Sequence, residues 1–195
     1  MNQHDLIRKF QSKLPAVRDW IDNLLERHKE QAVPVINLDY VRLHQIFPKD
    51  LLERSQLVVV TTKLPFPPVS SMGLPEFGEM ENMSREGITY KNTFFINRFH
   101  QTESLCFHEL VHVIQWERLG VDNFLQAYAV GLRQSGYLDY RNSPLEDMAH
   151  SLQTRFDRRS LPTDVIGWLV QQGTDAIWNG VAPLIFEARR GNTGT

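Results

Sequence analysis

A mixed α+β domain, mostly helical and with one small mixed sheet packed against a central helix, is the fold class that the sequence predicts. Three observations carry it: apolar positions at helical spacing over residues 5–30, a β-branched run at 56–64, and helical patterning from Thr102 to the C-terminus. At 195 residues the chain is long enough for one domain with a substantial core and short for two. The expected layout is a single domain over 1–195, with N-terminal helices in 1–50, the sheet and its helix in 56–120, and a C-terminal helical part in 121–195.

Leu6, Ile7, Phe10 and Leu14, then Val17, Trp20, Ile21, Leu24 and Leu25, stand on a charged background and read as two amphipathic helices. The second is expected to begin at Pro15, whose fixed φ and missing N–H are harmless in a first turn. A brief helix over Leu38–Ile46 should stop at Pro48. The run Gln56–Leu64, QLVVVTTKL, is rich in side chains that suit a pleated, buried surface and predicts a strand. Residues 64–83 hold four prolines and two glycines with no lasting period, which predicts a long loop of the kind that is either functional or mobile. GITYKNTFFINR then predicts a hairpin, with strands at Ile88–Tyr90 and Thr93–Ile96 and a bend at Lys91-Asn92. Helices are expected around HELVH, over Asn123–Arg133, from Pro144 to about Arg159, and twice more after Pro162 and Gly173. There is no internal repeat.

A formal net charge of −2 gives no basic field, so nucleic acid is not the expected partner. The N-terminus lacks the apolar core of a signal peptide and no stretch has the length of a membrane span, which points to a cytoplasmic location without membrane contact. The single cysteine, Cys106, excludes an internal disulfide and fits a reducing compartment.

Chemistry concentrates in HELVH. Residues four apart on a helix lie about 40° from each other, so His108 and His112 project side by side and can grip one cation. Zinc favours neutral imidazole nitrogen, and a catalytic site uses three protein ligands and leaves a fourth position for water. Glu109 is turned about 100° from His108, beside that water, as a general base for it. A bound zinc lowers the water pKa from about 15.7 towards 7. Phe107, Leu110, Val111 and Ile114 form the core side of this helix, and Cys106 points away from the histidines as a small buried hydrophobe.

The third ligand is expected from RNSPLEDMAH, where Ser143 and Pro144 start a helix and Glu146 falls in its first turn. Ser143-x-x-Glu146 is equally a capping box, in which the carboxylate serves the helix end alone. Ala149 favours Glu146 as ligand, since a small residue lets this helix approach the HELVH helix closely. Asp139, Asp147 and His150 are the rivals, with His150 second in rank.

HELVHVIQW followed by NSPLEDMAH resembles the gluzincin metallopeptidases, whose pattern is HExxH plus a glutamate on a later helix. The run from GITYKNTFFI to HELVHVIQ is similar to bacterial zincin-like domains that carry HELTHVxQ after a strand hairpin. The resemblance covers roughly residues 87–150. It implies a zincin-like fold, zinc held by His108, His112 and Glu146, Glu109 as the catalytic residue, and a peptide or protein substrate. Many gluzincins place an aspartate four residues after the glutamate; here that position is His150. The helices at the N-terminus and the chain after about 155 match no part of the pattern.

Peptide hydrolysis also needs a donor for the developing oxyanion, and Tyr137, Tyr140 and His150 are the candidates, His150 also for a role behind the ligands. Thr93–Ile96 would form the rim along which an extended substrate adds as a strand, and the 64–83 loop would either overhang the cleft or be a disordered insertion. Two other readings compete: a catalytically inactive or regulatory interaction domain on a zincin scaffold, and a helical partner-binding protein in which HELVH is accidental. The intact Glu109 speaks against the first, because a purely structural metal site has no use for a base there.

Overall fold

The computed structural model describes residues 2–136, 139–162 and 165–190. In chain order the regular elements are α1 (Gln3–His28), β1 (Val33–Pro34), α2 (Val41–Ile46), α3 (Lys49–Arg54), β2 (Gln56–Val60), α4 (Glu79–Asn82), β3 (Gly87–Tyr90), β4 (Thr93–Asn97), α5 (Glu103–Gln134), α6 (Pro144–Asp157) and α7 (Ile166–Arg190). The fold is α+β, with helices predominating over one small mixed sheet. No helix of the described residues is long and apolar enough to cross a membrane.

The sheet order is β1-β2-β4-β3, with β2 and β4 parallel and the outer pairs antiparallel. The two parallel strands read VVV and FFI; β4 is buried on both faces up to Ile96, which removes the polar alternation of a half-exposed sheet, whereas β2 leaves Val59 exposed. Side-chain direction still alternates. Leu57, Phe94 and Ile96 join a core with α2, α3, the start of α5, α6 and α7, while Val58 and Phe95 join a second core with α1 and the far end of α7. β2 stops at Val60, opposite Asn97 at the end of β4, and so is shorter than the β-branched run suggested. The hairpin turns at Lys91, whose φ of 57° is left-handed.

Three expectations about helices need correction. α1 is one helix running through Pro15, not two. Its buried stripe, Leu6, Ile7, Phe10, Leu14, Val17, Ile21 and Leu24, keeps helical phase across the proline; burying seven large side chains outweighs the roughly 3 kcal/mol that an interior proline costs. α7 is likewise one helix, containing Gly173 and Pro183. Gly173 does not end it: a Cβ there would meet Met148 Sδ at 2.5 Å, so the glycine lets α6 and α7 touch. Pro48 ends α2 and also starts α3, a helix the sequence pattern did not reveal.

The 64–83 segment is a packed wall. Val69, Leu74, Phe77 and Met80 are buried against Leu6, Phe10 and Leu14 of α1 and against Ala129 and Leu132 of α5.

α5 positions the site. Thr102 caps it, its Oγ1 accepting from the Leu105 N–H at 3.1 Å, and Glu103 accepts the N–H groups of Arg42 and Leu43, tying α2 to its first turn. Phe107 stacks on Phe156 at 4.5 Å between centroids, joining α5 to α6 directly behind His108. At Gly120 the backbone leaves helical geometry (φ 72°, ψ 168°), so the expected break between the HELVH helix and the next is a single kinked residue. This conformation is essentially restricted to glycine, at a cost of about 1–3 kcal/mol for other residues, although a Cβ at this position would meet no atom within 4 Å. Gly120→Ala is therefore expected to lower unfolding stability by about 1–3 kcal/mol, seen in urea denaturation as a lower midpoint at unchanged slope.

A candidate metal centre between two helices

His108 and His112 come from the first arm of α5, and Glu146 from the first turn of α6. All three are buried, with 5%, 6% and 7% of their surface exposed. His108 Nε2 lies 3.1 Å from His112 Nε2, and Glu146 Oε2 lies 3.5 Å from each. Bonds of about 2.0–2.1 Å in a tetrahedron imply ligand–ligand edges of about 3.3 Å, so the spacing of the three atoms is that of three corners around one small cation.

The hydrogen bonds behind the rings make the same point. Gln115 Nε2 donates to the Leu145 carbonyl at 3.1 Å, which fixes that amide so that its Oε1 faces His112 Nδ1 at 2.7 Å. Gln153 Oε1 stands 3.1 Å from His108 Nδ1, with its own Nε2 donating to Ser104 Oγ. An amide oxygen only accepts, so each Nδ1 carries the proton and each Nε2 of a neutral ring presents a lone pair. Two lone pairs and a carboxylate then face one another inside the protein, an arrangement that demands positive charge.

The electrostatics agree. Burial opposes charge on His112, but Glu146 outweighs it and raises the imidazole to about 9. Burial alone would raise the Glu146 carboxyl, and His112 and His108 hold it well below the usual carboxylate range. Both shifts express one demand for positive charge within the cluster, which a proton on His112 meets when no other cation does.

Glu146 does not act as a helix cap. Ser143 occupies the N-cap position but its side chain makes no capping bond, and its Oγ is buried without a partner. The carboxylate instead turns into the centre, where Tyr128 Oη donates to its Oε1 at 2.7 Å. Close approach of the helices permits this: a Cβ on Gly131 would sit 3.0 Å from Pro144 Cδ, and Ala149 is fully buried between α5 and α6.

Glu109 is buried next to the cluster but is not one of the three converging donors. Its Oε2 accepts from Thr89 Oγ1 at 2.6 Å, and Gly87 packs against the same carboxylate so tightly that a Cβ there would overlap it, lying 2.9 Å even from Cδ. Burial raises its pKa, with His108 and His112 pulling the other way.

The remaining candidates sort plainly. His150 lies one turn along α6, its ring 4.5 Å from that of His108 and its Nε2 3.9 Å from Glu146 Oε2, buried and without a hydrogen-bond partner. Burial, then His108, lowers its pKa. Tyr140 lines the same cavity from a short 3-10 turn, whereas Tyr137 lies outside the described residues. Asp147 is exposed, and Asp139 accepts from Asn142. Cys106 is buried in the core behind the helix, where burial and then Glu109 push its thiol up to about 12. The strand at the rim is β3, not Thr93–Ile96 as the sequence suggested: β4 is interior, flanked by β2 and β3, and only β3 presents a free edge beside Glu109.

Four residues that hold the cluster and Glu109 in place escaped the sequence, Gln115, Tyr128, Gln153 and Thr89, the last two carrying no motif signal. Gln115 had a signal, since it is the glutamine that closes HELVHVIQ, three residues after the second histidine. Tyr128 had none, because its reach to Glu146 depends on the kink at Gly120. The chain matches no known family model, no curated protein and no solved structure. Groups that orient ligands typically contribute 10–100-fold to metal affinity. Gln115→Leu and Tyr128→Phe are each expected to weaken divalent-cation binding by about that factor, measured by competition with a chromophoric chelator.

Proposed function

We propose that this protein is a zinc-dependent hydrolase of the metallopeptidase type, zincin-like in its active site. The observation that supports this most is the set of three donor atoms at tetrahedral spacing with a separate buried carboxylate beside them. His108, His112 and Glu146 would hold the metal. Two imidazoles and one carboxylate are a donor set that suits zinc in a catalytic site. When bound, zinc supplies a Lewis acid that polarises a carbonyl and acidifies water.

Glu109 accepts the proton of the attacking water. Its burial is what fits it to the task, since a carboxyl raised above its ordinary value is a stronger base for the water proton, which it then returns to the leaving nitrogen. Thr89 and Gly87 hold its position from the edge strand. His150, unpartnered at Nε2 and facing the cavity, is the group available to donate to the oxyanion. Tyr128 is committed to Glu146 and acts as a positioning residue. The free edge of β3 offers backbone groups to an extended peptide.

The protein is expected to bind about one zinc per chain and to hydrolyse a peptide or unfolded-protein substrate. Glu109→Gln should keep the metal and lose turnover, whereas the His108→Ala/His112→Ala double variant should lose both. Stoichiometric zinc in the double variant, measured by elemental analysis after dialysis, would refute the site. Gly87→Ala, which must displace Glu109 without touching the three ligand atoms, should lower kcat with zinc content unchanged.

A further inference from the structure

The centre opens into a cavity of about 410 Å³, within the ~300–1,000 Å³ span of small-ligand sites. Its walls are mostly apolar: Phe10 and Val17 of α1, Phe66 and Phe77 of the 64–83 wall, and Phe124 and Leu132 of α5. Arg85 also lines it, and nothing in the reaction outlined above uses Arg85. Its guanidinium lies over the Phe66 ring, 4.3 Å from the centroid, and one terminal nitrogen, Nη1, makes only a long 3.4 Å contact with the Met83 carbonyl. The other, Nη2, is buried and has no hydrogen-bond partner.

The acids of the cavity are engaged elsewhere. Glu86 pairs with His100 at 3.5 Å, Glu109 accepts from Thr89, and Glu146 faces the imidazoles and Tyr128. Among the described residues no carboxylate comes within ion-pair distance of Arg85. A buried guanidinium nitrogen with no acceptor is costly to leave unpaired, and a planar fork set in an apolar wall is matched by a carboxylate.

Arg85 also stands at an informative place along the chain. The ladder between β3 and β4 continues to Glu86, whose carbonyl accepts from the Asn97 N–H. Gly87 meets Glu109, and Arg85 is two residues earlier, just before β3 begins and across a bend at Glu86, on the wall of the same cavity. A peptide lying on this edge with its scissile bond at Glu109 would bring its next one or two residues to the guanidinium.

We propose that Arg85 binds the terminal carboxylate of the substrate, so that the site acts at the carboxy end of peptides whose last residue is large and apolar. This rests on the hydrolase reading above. The bond broken is the amide before the terminal residue: water gives its hydroxyl to the acyl carbon, and its proton passes through Glu109 to the departing nitrogen. The apolar cavity takes the terminal side chain, and Arg85 pairs with the carboxylate that an internal residue lacks.

The test uses one N-acylated tripeptide ending in phenylalanine, as free acid and as C-terminal amide. Binding of each is measured by calorimetry to the Glu109→Gln protein, with one equivalent of zinc and after chelation, and again in Glu109→Gln/Arg85→Met. The acid should bind about 10- to 100-fold tighter than the amide, with and without zinc, and Arg85→Met should bring the two within about twofold. Equal binding of acid and amide, no saturable binding of either, or a preference that survives Arg85→Met would overturn the proposal; the unsubstituted Arg85 comparison stands even if the variant fails to fold. Hydrolysis by the wild-type protein is followed in parallel. Cleavage of acid and amide at equal rates sinks the role of Arg85 and leaves the hydrolase reading standing, while carboxylate-dependent binding without any hydrolysis does the reverse.

Discussion

The constraint on which the rest of this structure depends is the meeting of two imidazole lone pairs and a carboxylate oxygen, 3.1–3.5 Å apart, inside the protein. Left without positive charge, such a cluster is strongly unfavourable, because each group has given up water. Much of the surrounding architecture serves to hold it. Gln115 and Gln153 fix the ring tautomers, Tyr128 holds the far oxygen of Glu146, and the stack of Phe107 on Phe156 locks α5 to α6 behind the site. These supports come from two successive helices, α5 and α6, that meet side by side only when the chain folds, so the cluster exists only in the folded chain.

Glycine and alanine set the distances. Gly87 admits the Glu109 carboxylate against the edge strand, Gly131 admits the start of α6, Ala149 lets α6 lie close, and Gly120 turns the second arm of α5 so that Tyr128 reaches across. Of these only Gly120 is required by its positive φ; the others are required by space. Small residues around such a cluster are easily read as filler, yet here each defines the position of a larger side chain.

What the sequence disclosed follows from how local each feature is. HELVH needs only helical periodicity to bring two imidazoles together, and Ser143-Pro144 needs only first-turn chemistry to place Glu146, so both were legible. The choice between cap and ligand for Glu146 was not, because it depends on where Tyr128 and the imidazoles stand. The hairpin was visible in GITYKNTFFI, but which strand lies at the edge is a property of sheet order, and the parallel pairing of β2 with β4 puts β3 outside. Helix breakers misled twice, Pro15 and Gly173 both lying inside single helices, and in α1 the uninterrupted phase of the apolar stripe was the better guide. The 64–83 segment shows no period because its apolar residues pack singly between α1 and α5, and so its role as a cavity wall became apparent only in three dimensions.

The account centres on a cation held by His108, His112 and Glu146. Anomalous diffraction at the zinc edge, from crystals grown with one equivalent of zinc per chain, tests it most directly. The account predicts a single strong peak between α5 and α6, about 2.0–2.1 Å from the Nε2 atoms of His108 and His112 and about 2.0–2.2 Å from a Glu146 oxygen. A peak elsewhere, or none at this position with the two imidazoles and Glu146 hydrogen-bonded to one another through a proton, would contradict it.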